Sequence, residues 1–209
     1  MLQPIADFCT AHELPWGERS AEKMARYLDL LMQFNEAMNL IGPMGREAVV
    51  EELLLDSVAA AAARRPRGPI LDVGTGAGLP GIPLKILFSG VPLTLVEPRR
   101  KRSTFLKIAT HRLDLDEVTI FRGRIEEFDQ TGFDTVISKA FQAPTVWLHT
   151  ARPFVAPGGA VICMARCRDK PAIEKLAAEL EMHLAGTSSL GARAPQQRVN
   201  LALQTPTAS

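Results

Sequence analysis

Long apolar runs are missing from this sequence: nothing in it approaches the roughly 20 consecutive residues that a helix needs to span a bilayer. Cysteine is scarce, with Cys9, Cys163 and Cys167 the only three. An odd number in scattered positions excludes a disulfide framework and a zinc site built on cysteine pairs. Cys163 and Cys167 bracket the end of an expected strand and read as inert. The four histidines, His12, His111, His149 and His183, share no spacing that makes a site, so no metal is expected. No GxxxxGK[ST] occurs, which excludes a P-loop. Internal repeats are absent. The first residues, "MLQPIADFCTAHELPW", show neither a basic n-region nor a continuous apolar h-region, so no secretory signal and a cytoplasmic address are expected. A strong net charge is also lacking: the formal balance is +1.

What the 209 residues do hold, at 46% apolar and 22% charged, is the composition of one ordinary soluble domain with a helical extension. The charge is unevenly spread. Residues 1–62 carry four cations against ten acids, a balance of −6, which leaves +7 for residues 63–209. The positive groups cluster as "RRPR" at 64–67, "RRKR" at 99–102, Arg122 with Arg124, and "RCRDK" at 166–170. Such clusters suit phosphate, with a solvated face as the alternative.

The first 62 residues read as a helical extension. Met24, Tyr27, Leu28, Leu31 and Phe34 form one stripe at helical spacing, with Ser20 as the expected cap and "IGPMG" as the stop. "REAVVEELLLDSVAAAAARR" reads as a second helix. Beyond Gly68 the pattern alternates. "PILDVG", "PLTLVE", "EVTIFRG", "FDTVISKAF", "GGAVICMAR" and "RVNLALQ" read as strands. Between them "LPGIPLKILF", "RKRSTFLKIATHRL", "APTVWLHTARPFV" and "KPAIEKLAAELEMH" read as helices. That alternation predicts an α/β doubly wound, mostly parallel sheet over 63–209, with "GTSSLGARAPQQ" turning into an antiparallel closing hairpin and "TPTAS" frayed.

The informative stretch is "ILDVGTGAGLPGIPL". In a doubly wound sheet, ligands bind at the carboxyl ends of strands, so the turn after "ILDV" is a natural site. Residues 76–81 formally match the dinucleotide pattern GxGxxG, with Glu97 lying 21 residues beyond Gly76. A dinucleotide turn, however, begins directly after its strand, which is at Gly74. Counted from there the third required glycine is Leu79, and Asp72 would repel a pyrophosphate. A cationic nucleoside fits better. Gly74, Gly76 and Gly78 let the backbone approach it, Asp72 attracts positive charge, and Glu97 accepts from two ribose hydroxyls. S-adenosylmethionine is such a ligand.

With these residues in view, the chain resembles the bacterial glucose-inhibited division protein B family, the 16S ribosomal RNA guanine-N7 methyltransferases. The resemblance rests on "ILDVGTGAGLPGIPL", "FNEAMNLIG", "LLLDSV", "KRSTFL", "RGRIEEF" and "FDTVISKAF", with "QRVNLAL" a weaker echo, and covers about residues 33–141. It implies a class I methyltransferase fold, S-adenosylmethionine as cofactor, and a guanosine in the 530 loop of 16S ribosomal RNA as substrate, on naked RNA or the small subunit. By resemblance, Gly74, Gly76, Gly78 and Leu79 line the cofactor loop, Glu97 holds the ribose, and Ile125 and Glu126 flank the adenine. Lys139 touches cofactor and substrate and is the one candidate catalytic residue. Arg124, Lys139 and Arg198 face RNA. The chain departs from the family at Lys139, where Arg is usual, and at Leu53, where His is usual. Lys139 keeps the charge but loses the planar fork.

The chemistry agrees. Methyl transfer from a sulfonium is an in-line displacement that needs alignment, and guanine N7 carries a free lone pair with no proton to remove. No general base is required. Amino-directed base methyltransferases carry Asn/Asp-Pro-Pro-aromatic after the fourth strand, and cytosine-C5 enzymes a Pro-Cys nucleophile; here that place reads "SKAF". Trp147 and Phe154 read as core. A small-molecule methyltransferase, a nicotinamide oxidoreductase and a non-enzymatic RNA-binding module are the rival readings. A monomer is expected. The N-terminal helices are expected to shape the RNA entrance, so that removing residues 1–40 spares cofactor affinity and abolishes methylation.

Overall fold

Ile70–Val73 (β1) is buried at every position, as a short strand must be when it has neighbours on both edges and helices on both faces. The computed structural model describes residues 1–190 and 198–207. Six further strands join β1: Leu93–Val96 (β2), Val118–Phe121 (β3), Phe133–Ser138 (β4), Val155–Arg166 (β5), His183–Ser189 (β6) and Arg198–Gln204 (β7). Their order is β3-β2-β1-β4-β5-β7-β6. The first five run parallel, and β7 inserts antiparallel between β5 and β6. The doubly wound sheet predicted from the alternation is therefore present. Strand order reverses between β1 and β4, so the loops leaving those two strands open a crevice at the carboxyl end.

Alternate strand residues feed two cores, as the two-residue period of a strand requires. On one face Ile70, Leu93, Leu95, Ile137 and Ile162 pack with Gln3–Ala11 (α1), Glu18–Met38 (α2), Leu55–Ala63 (α4), Gly81–Leu87 (α5) and Arg100–Arg112 (α6). On the other, Leu71, Val73, Val96, Val136 and Val161 pack with Pro144–Ala151 (α7) and Lys170–Glu179 (α8). The N-terminal helices thus share a core with the sheet. Arg64, just past α4, grips Asp134 of β4 through a fork with bonds of 2.9 and 2.8 Å, the geometry that makes guanidinium pairs strong. That use removes Arg64 from the expected phosphate-binding cluster.

Local chemistry corrects several element boundaries. Helix α2 starts at Glu18, so Ser20 is not its cap. The Ser20 hydroxyl sits in the first turn, accepting from the Gly17 N–H at 2.8 Å. The helix stops at Asn39, which takes φ +49°, rather than at the glycines and proline. The Asn35 side chain fixes the exit by accepting from the Ile41 N–H and donating to the Gly42 carbonyl. The second helix is interrupted. Arg46–Ala48 (α3) widens into a π-helical turn over Val49–Leu54 before α4 resumes.

The largest difference lies at the far edge. Helix α8 ends at Glu179, and "HLAGTSS" is strand β6 rather than helix end and turn. Its outer positions face solvent, so it lacks the apolar alternation that marks a strand in sequence. Gly186 lets it approach α4 closely, since a Cβ there would lie 2.1 Å from the Ala63 carbonyl oxygen. The antiparallel closing pair expected before the last strand exists, as β6 with β7; residues 191–197 of the connection lie outside the described residues. "TPTAS" is not frayed at its start. Thr205 donates its N–H to the Gly159 carbonyl at 3.0 Å and Gly158 donates to Pro206 at 2.9 Å.

Candidate functional site

The loop after β1 is shaped by three alternating glycines, Gly74, Gly76 and Gly78, at φ +66°, +61° and +94°. Only glycine adopts such values without strain. Their duties differ. A Cβ on Gly78 would lie 2.4 Å from Ile82 Cδ1, so this glycine serves the packing of the loop onto α5 and α6. A Cβ on Gly76 would meet nothing nearer than Arg102 Nη1 at 3.6 Å. The Gly76 position is thus faced by the end of one arginine side chain rather than by packed core. Leu79 is buried in the first core, its N–H bonded to the Thr75 carbonyl at 3.0 Å.

Glu97, at the end of β2, is 2% exposed and lies against this loop. Its Oε2 accepts from the Gly76 N–H at 3.0 Å and its Oε1 from the Arg99 N–H at 2.9 Å. A carboxylate offers about four lone-pair positions, so two directions remain for vicinal hydroxyls. The pairing of Gly76 with Glu97, expected from spacing alone, is present in space.

Asp72 departs from expectation. Its carboxylate is fully buried and turns inward rather than toward a ligand. Oδ2 accepts from the Thr75 hydroxyl at 2.6 Å and the Gly81 N–H at 2.8 Å, tying the start of the loop to the start of α5. Oδ1 has no hydrogen-bond partner among the described residues. Burial, with the nearby charge of Glu97, pushes the Asp72 carboxyl up to about 7 against the pull of those two bonds.

Ile125 and Glu126 begin a single helical turn after β3. Ile125 is buried in the second core beside Val73 and Val96, while Glu126 is exposed. Arg124 is exposed, and its backbone N–H, not its side chain, bonds to Glu127 at 2.8 Å. Arg99, Arg100, Lys101, Arg102, Arg122 and Arg124 follow β2 and β3 around the same rim. Among the described residues, none of these side chains pairs with a carboxylate.

A second group forms beyond β4. Lys139 Nζ lies 3.0 Å from Asp56 Oδ2 and donates to the Glu52 carbonyl at 3.1 Å. Arg198 Nη1 donates to the same Asp56 oxygen at 2.6 Å. Asp56 is 1% exposed and comes from α4, just after the π-helical turn that carries Glu52. Burial lowers the Lys139 pKa, and the Asp56 charge works against that fall. Lys139 and Arg198, assigned separately from sequence, are thus joined through a carboxylate that sequence reasoning did not single out. Leu53, on the π-helical turn, is half-buried and carries no titratable group.

Two further residues were missed. The Tyr27 hydroxyl donates to the Ala77 carbonyl at 2.7 Å, fastening α2 to the glycine loop. Phe141 lies against Gly74, whose added Cβ would fall 2.5 Å from Phe141 Cδ2. The remaining sequence assignments divide simply. Trp147 is core, all four histidines are exposed, and Cys163 is buried with its thiol pushed up to about 12. Among the described residues no cluster of metal-ligating side chains occurs, and no helix is long and apolar enough to cross a membrane.

A family model described as "rRNA small subunit methyltransferase G" matches residues 20–199. The "Ribosomal RNA small subunit methyltransferase G" of Alkaliphilus metalliredigens (strain QYMF) is 35% identical over 166 residues, covering 76% of this chain and 70% of that protein. Its namesake in Nitratidesulfovibrio vulgaris (strain DP4) is 36% identical over 168 residues, covering 77% of each. Among solved structures, the fold is similar to Burkholderia thailandensis 1,6-didemethyltoxoflavin-N1-methyltransferase with bound S-adenosylhomocysteine, at TM-score 0.60, 14% identity and 92% coverage of both chains. It is equally similar to M. jannaschii TYW2 in complex with AdoMet, at TM-score 0.60, 15% identity and 79% coverage of both.

Proposed function

The chain belongs to the rRNA small subunit methyltransferase G family, and from that premise we propose that it transfers a methyl group from S-adenosylmethionine to N7 of a guanosine in 16S ribosomal RNA. The observation that carries the reading is the 3.0 Å bond from the Gly76 N–H to Glu97. It sets a side-chain-free stretch of backbone beside a fixed carboxylate at the switch point, which fits a nucleoside with two ribose hydroxyls. The absence of a side chain at Gly76 and the unused lone pairs of Glu97 suit the cofactor.

Gly74, Gly76, Gly78 and Leu79 form the cofactor loop, Glu97 takes the ribose, and Ile125 and Glu126 border the adenine. The cofactor, when bound, supplies a methyl group already activated by its sulfonium. The work of this chain is therefore alignment: to hold the guanine so that the N7 lone pair points along the bond that breaks. No side chain has to take a proton. The cations from Arg99 to Arg102, with Arg122 and Arg124, which pair with no carboxylate among the described residues, suit the phosphates of folded RNA; past β4 Arg198 extends that surface, while Lys139 is held inward by Asp56. By the family resemblance the modified base is a guanosine of the 530 loop, and on this reading the protein acts in the cytoplasm as a monomer. The helical extension, residues 1–62, and the methyltransferase domain, residues 63–209, work as one compact unit.

The test has two parts. Calorimetric titration with S-adenosylmethionine should show one site, and Glu97→Ala should weaken it by about 10- to 100-fold, the scale of losing charge-assisted hydrogen bonds. NADH should not bind. Labelled methyl groups should then pass to small ribosomal subunits lacking the modification, recovered as N7-methylguanosine on nucleoside analysis. Cofactor binding without transfer to subunits or to naked 16S RNA would overturn the substrate.

A further inference from the structure

Of the twelve aromatic residues in the chain, all of them among the described residues, Phe141 alone is exposed, at 38%. The others are buried or half-buried, several of them in ring-on-ring clusters such as Phe121, Phe128 and Phe133. An aromatic ring left in water has an apolar surface without a partner, and this one stands at the functional rim. It follows β4 by three residues and touches Gly74 of the loop after β1.

The ring is also aimed. Ala140 takes φ +55°, a left-handed conformation that non-glycine residues rarely adopt, and the backbone bends there. Trp147 meets the ring at 88° with centroids 6.2 Å apart, the edge-to-face arrangement that aromatic pairs prefer. Trp147 is itself 3% exposed and anchored by its indole N–H to the Ile162 carbonyl at 3.2 Å. The adjoining Gln142 is held by the Thr150 hydroxyl at 2.8 Å. A wall on one side and the glycine loop on another fix the ring and leave part of its surface open.

We propose that Phe141 is the stacking platform for the extruded purine of the target nucleotide, holding the base in register with the cofactor loop. The inference rests on the methyltransferase reading above and names the substrate contact of that same site. Base recognition outside a duplex needs a flat apolar surface for the ring and a cation for the backbone. Phe141 supplies the first; Lys139, two residues earlier, is held by Asp56, so the second falls to Arg102, whose Nη1 lies beside Gly76 on the loop that Phe141 touches. The stretch "SKAF" acquires a meaning in this light. Its fourth position is aromatic, as in the Asn/Asp-Pro-Pro-aromatic motif of amino-directed enzymes, while the polar residue and the prolines are gone. An amino group must be positioned and lose a proton. N7 has none to lose, so only the stacking half of that motif is required.

The experiment compares wild type, Phe141→Leu and Phe141→Tyr as full-length proteins. It reads S-adenosylmethionine affinity by calorimetry and the kcat and KM of methyl transfer to small subunits lacking the modification. Removing a base–aromatic stack is expected to lower kcat/KM by about 5- to 150-fold in the leucine variant. Cofactor affinity should stay within about threefold, because uniform loss of the loop is not involved. The tyrosine variant keeps the ring and should retain activity within a few-fold. If the leucine variant transfers methyl groups as fast as wild type, Phe141 is not the platform. Equal losses in cofactor affinity and transfer would make the ring a wall of the cofactor site, which also overturns the proposal. Cofactor binding by the leucine variant certifies its fold, and the tyrosine variant decides the matter if leucine is not tolerated. A wild type that binds cofactor and methylates no ribosomal substrate would instead overturn the function on which the inference rests.

Discussion

The Tyr27 hydroxyl reaches across fifty residues of sequence to donate a 2.7 Å hydrogen bond to the carbonyl of Ala77. Ala77 lies between Gly76 and Gly78, so helix α2 directly holds the glycine loop. Both partners are buried, and the same helix sends Lys23 to the Asp114 carbonyl and Arg26 to the Arg112 carbonyl. Tyr27→Phe leaves a buried carbonyl without a donor. The expected cost is about 1–3 kcal/mol of stability by urea titration, with a weaker cofactor site in calorimetry. Removal of residues 1–40 goes further. From sequence this truncation is expected to spare cofactor affinity, but because it removes the Tyr27 bond to Ala77 the expected outcome is loss of cofactor binding together with methylation.

Asp56 is the second point at which the extension reaches the site. Its Oδ2 serves Lys139 and Arg198 together, with Lys139 11% exposed and Asp56 2% exposed at their side chains. Removing the carboxylate strands a buried ammonium, and breaking such a pair costs about 3 kcal/mol or more. Asp56→Asn is expected to lose that amount in urea unfolding. In a double-mutant cycle, adding Lys139→Met to Asp56→Asn should cost less than the sum of the single changes, because the second substitution removes the stranded charge. Additive losses would show that the two groups do not interact in solution.

The rim cations make a separate, electrostatic prediction. Arg124 is exposed and its side chain has no protein partner among the described residues, so its replacement should leave the fold intact. If it neutralises a phosphate, Arg124→Ser lowers the slope of log affinity for RNA against log salt by roughly 0.7 to 0.9. Filter binding to 16S RNA across a salt series measures this. An unchanged slope with weaker binding would point to a base contact, and no change at all would place Arg124 outside the interface.

The parts of the site legible in sequence are those fixed by local chemistry. A buried run ending at Val73 must be a strand, alternating glycines must form a tight turn, and an acid closing the next strand must sit beside it. Gly76 and Glu97 meet for those reasons. What sequence did not yield depends on distant partners. Asp56 stands in a Leu- and Ala-rich helix with the look of a solvated charge, and its partners lie 83 and 142 positions away. Phe141 gives no periodic signal, because its role comes from a loop that bends at Ala140. Strand β6 is hidden by its polar outer face and by Gly186, which serves contact with α4. Even Asp72, visible at once as an acid, has its direction set by Thr75 and Gly81, which wrap it inside the turn.

That inward turn makes stability depend on pH in a stated direction. The Asp72 carboxyl, ordinarily near 3.8, is pushed up to about 7 by burial in the folded protein. Between about pH 4 and pH 7 the unfolded chain has released this proton while the folded chain retains it. The contribution of this group is therefore fully present below about pH 4, declines by about 1.4 kcal/mol per unit as pH rises, and levels off above about pH 7. Asp72→Asn keeps a carbonyl oxygen to accept from Thr75 and Gly81 and has no proton to lose. Its stability relative to wild type should rise from pH 4 to pH 7 by a few kcal/mol and stay constant at higher pH. Urea unfolding of both proteins without cofactor, in half-unit steps from about pH 4 to about pH 8.5, measures the difference directly. Parallel stability curves would mean that Asp72 is ionised across the whole range, with its charge compensated inside the loop.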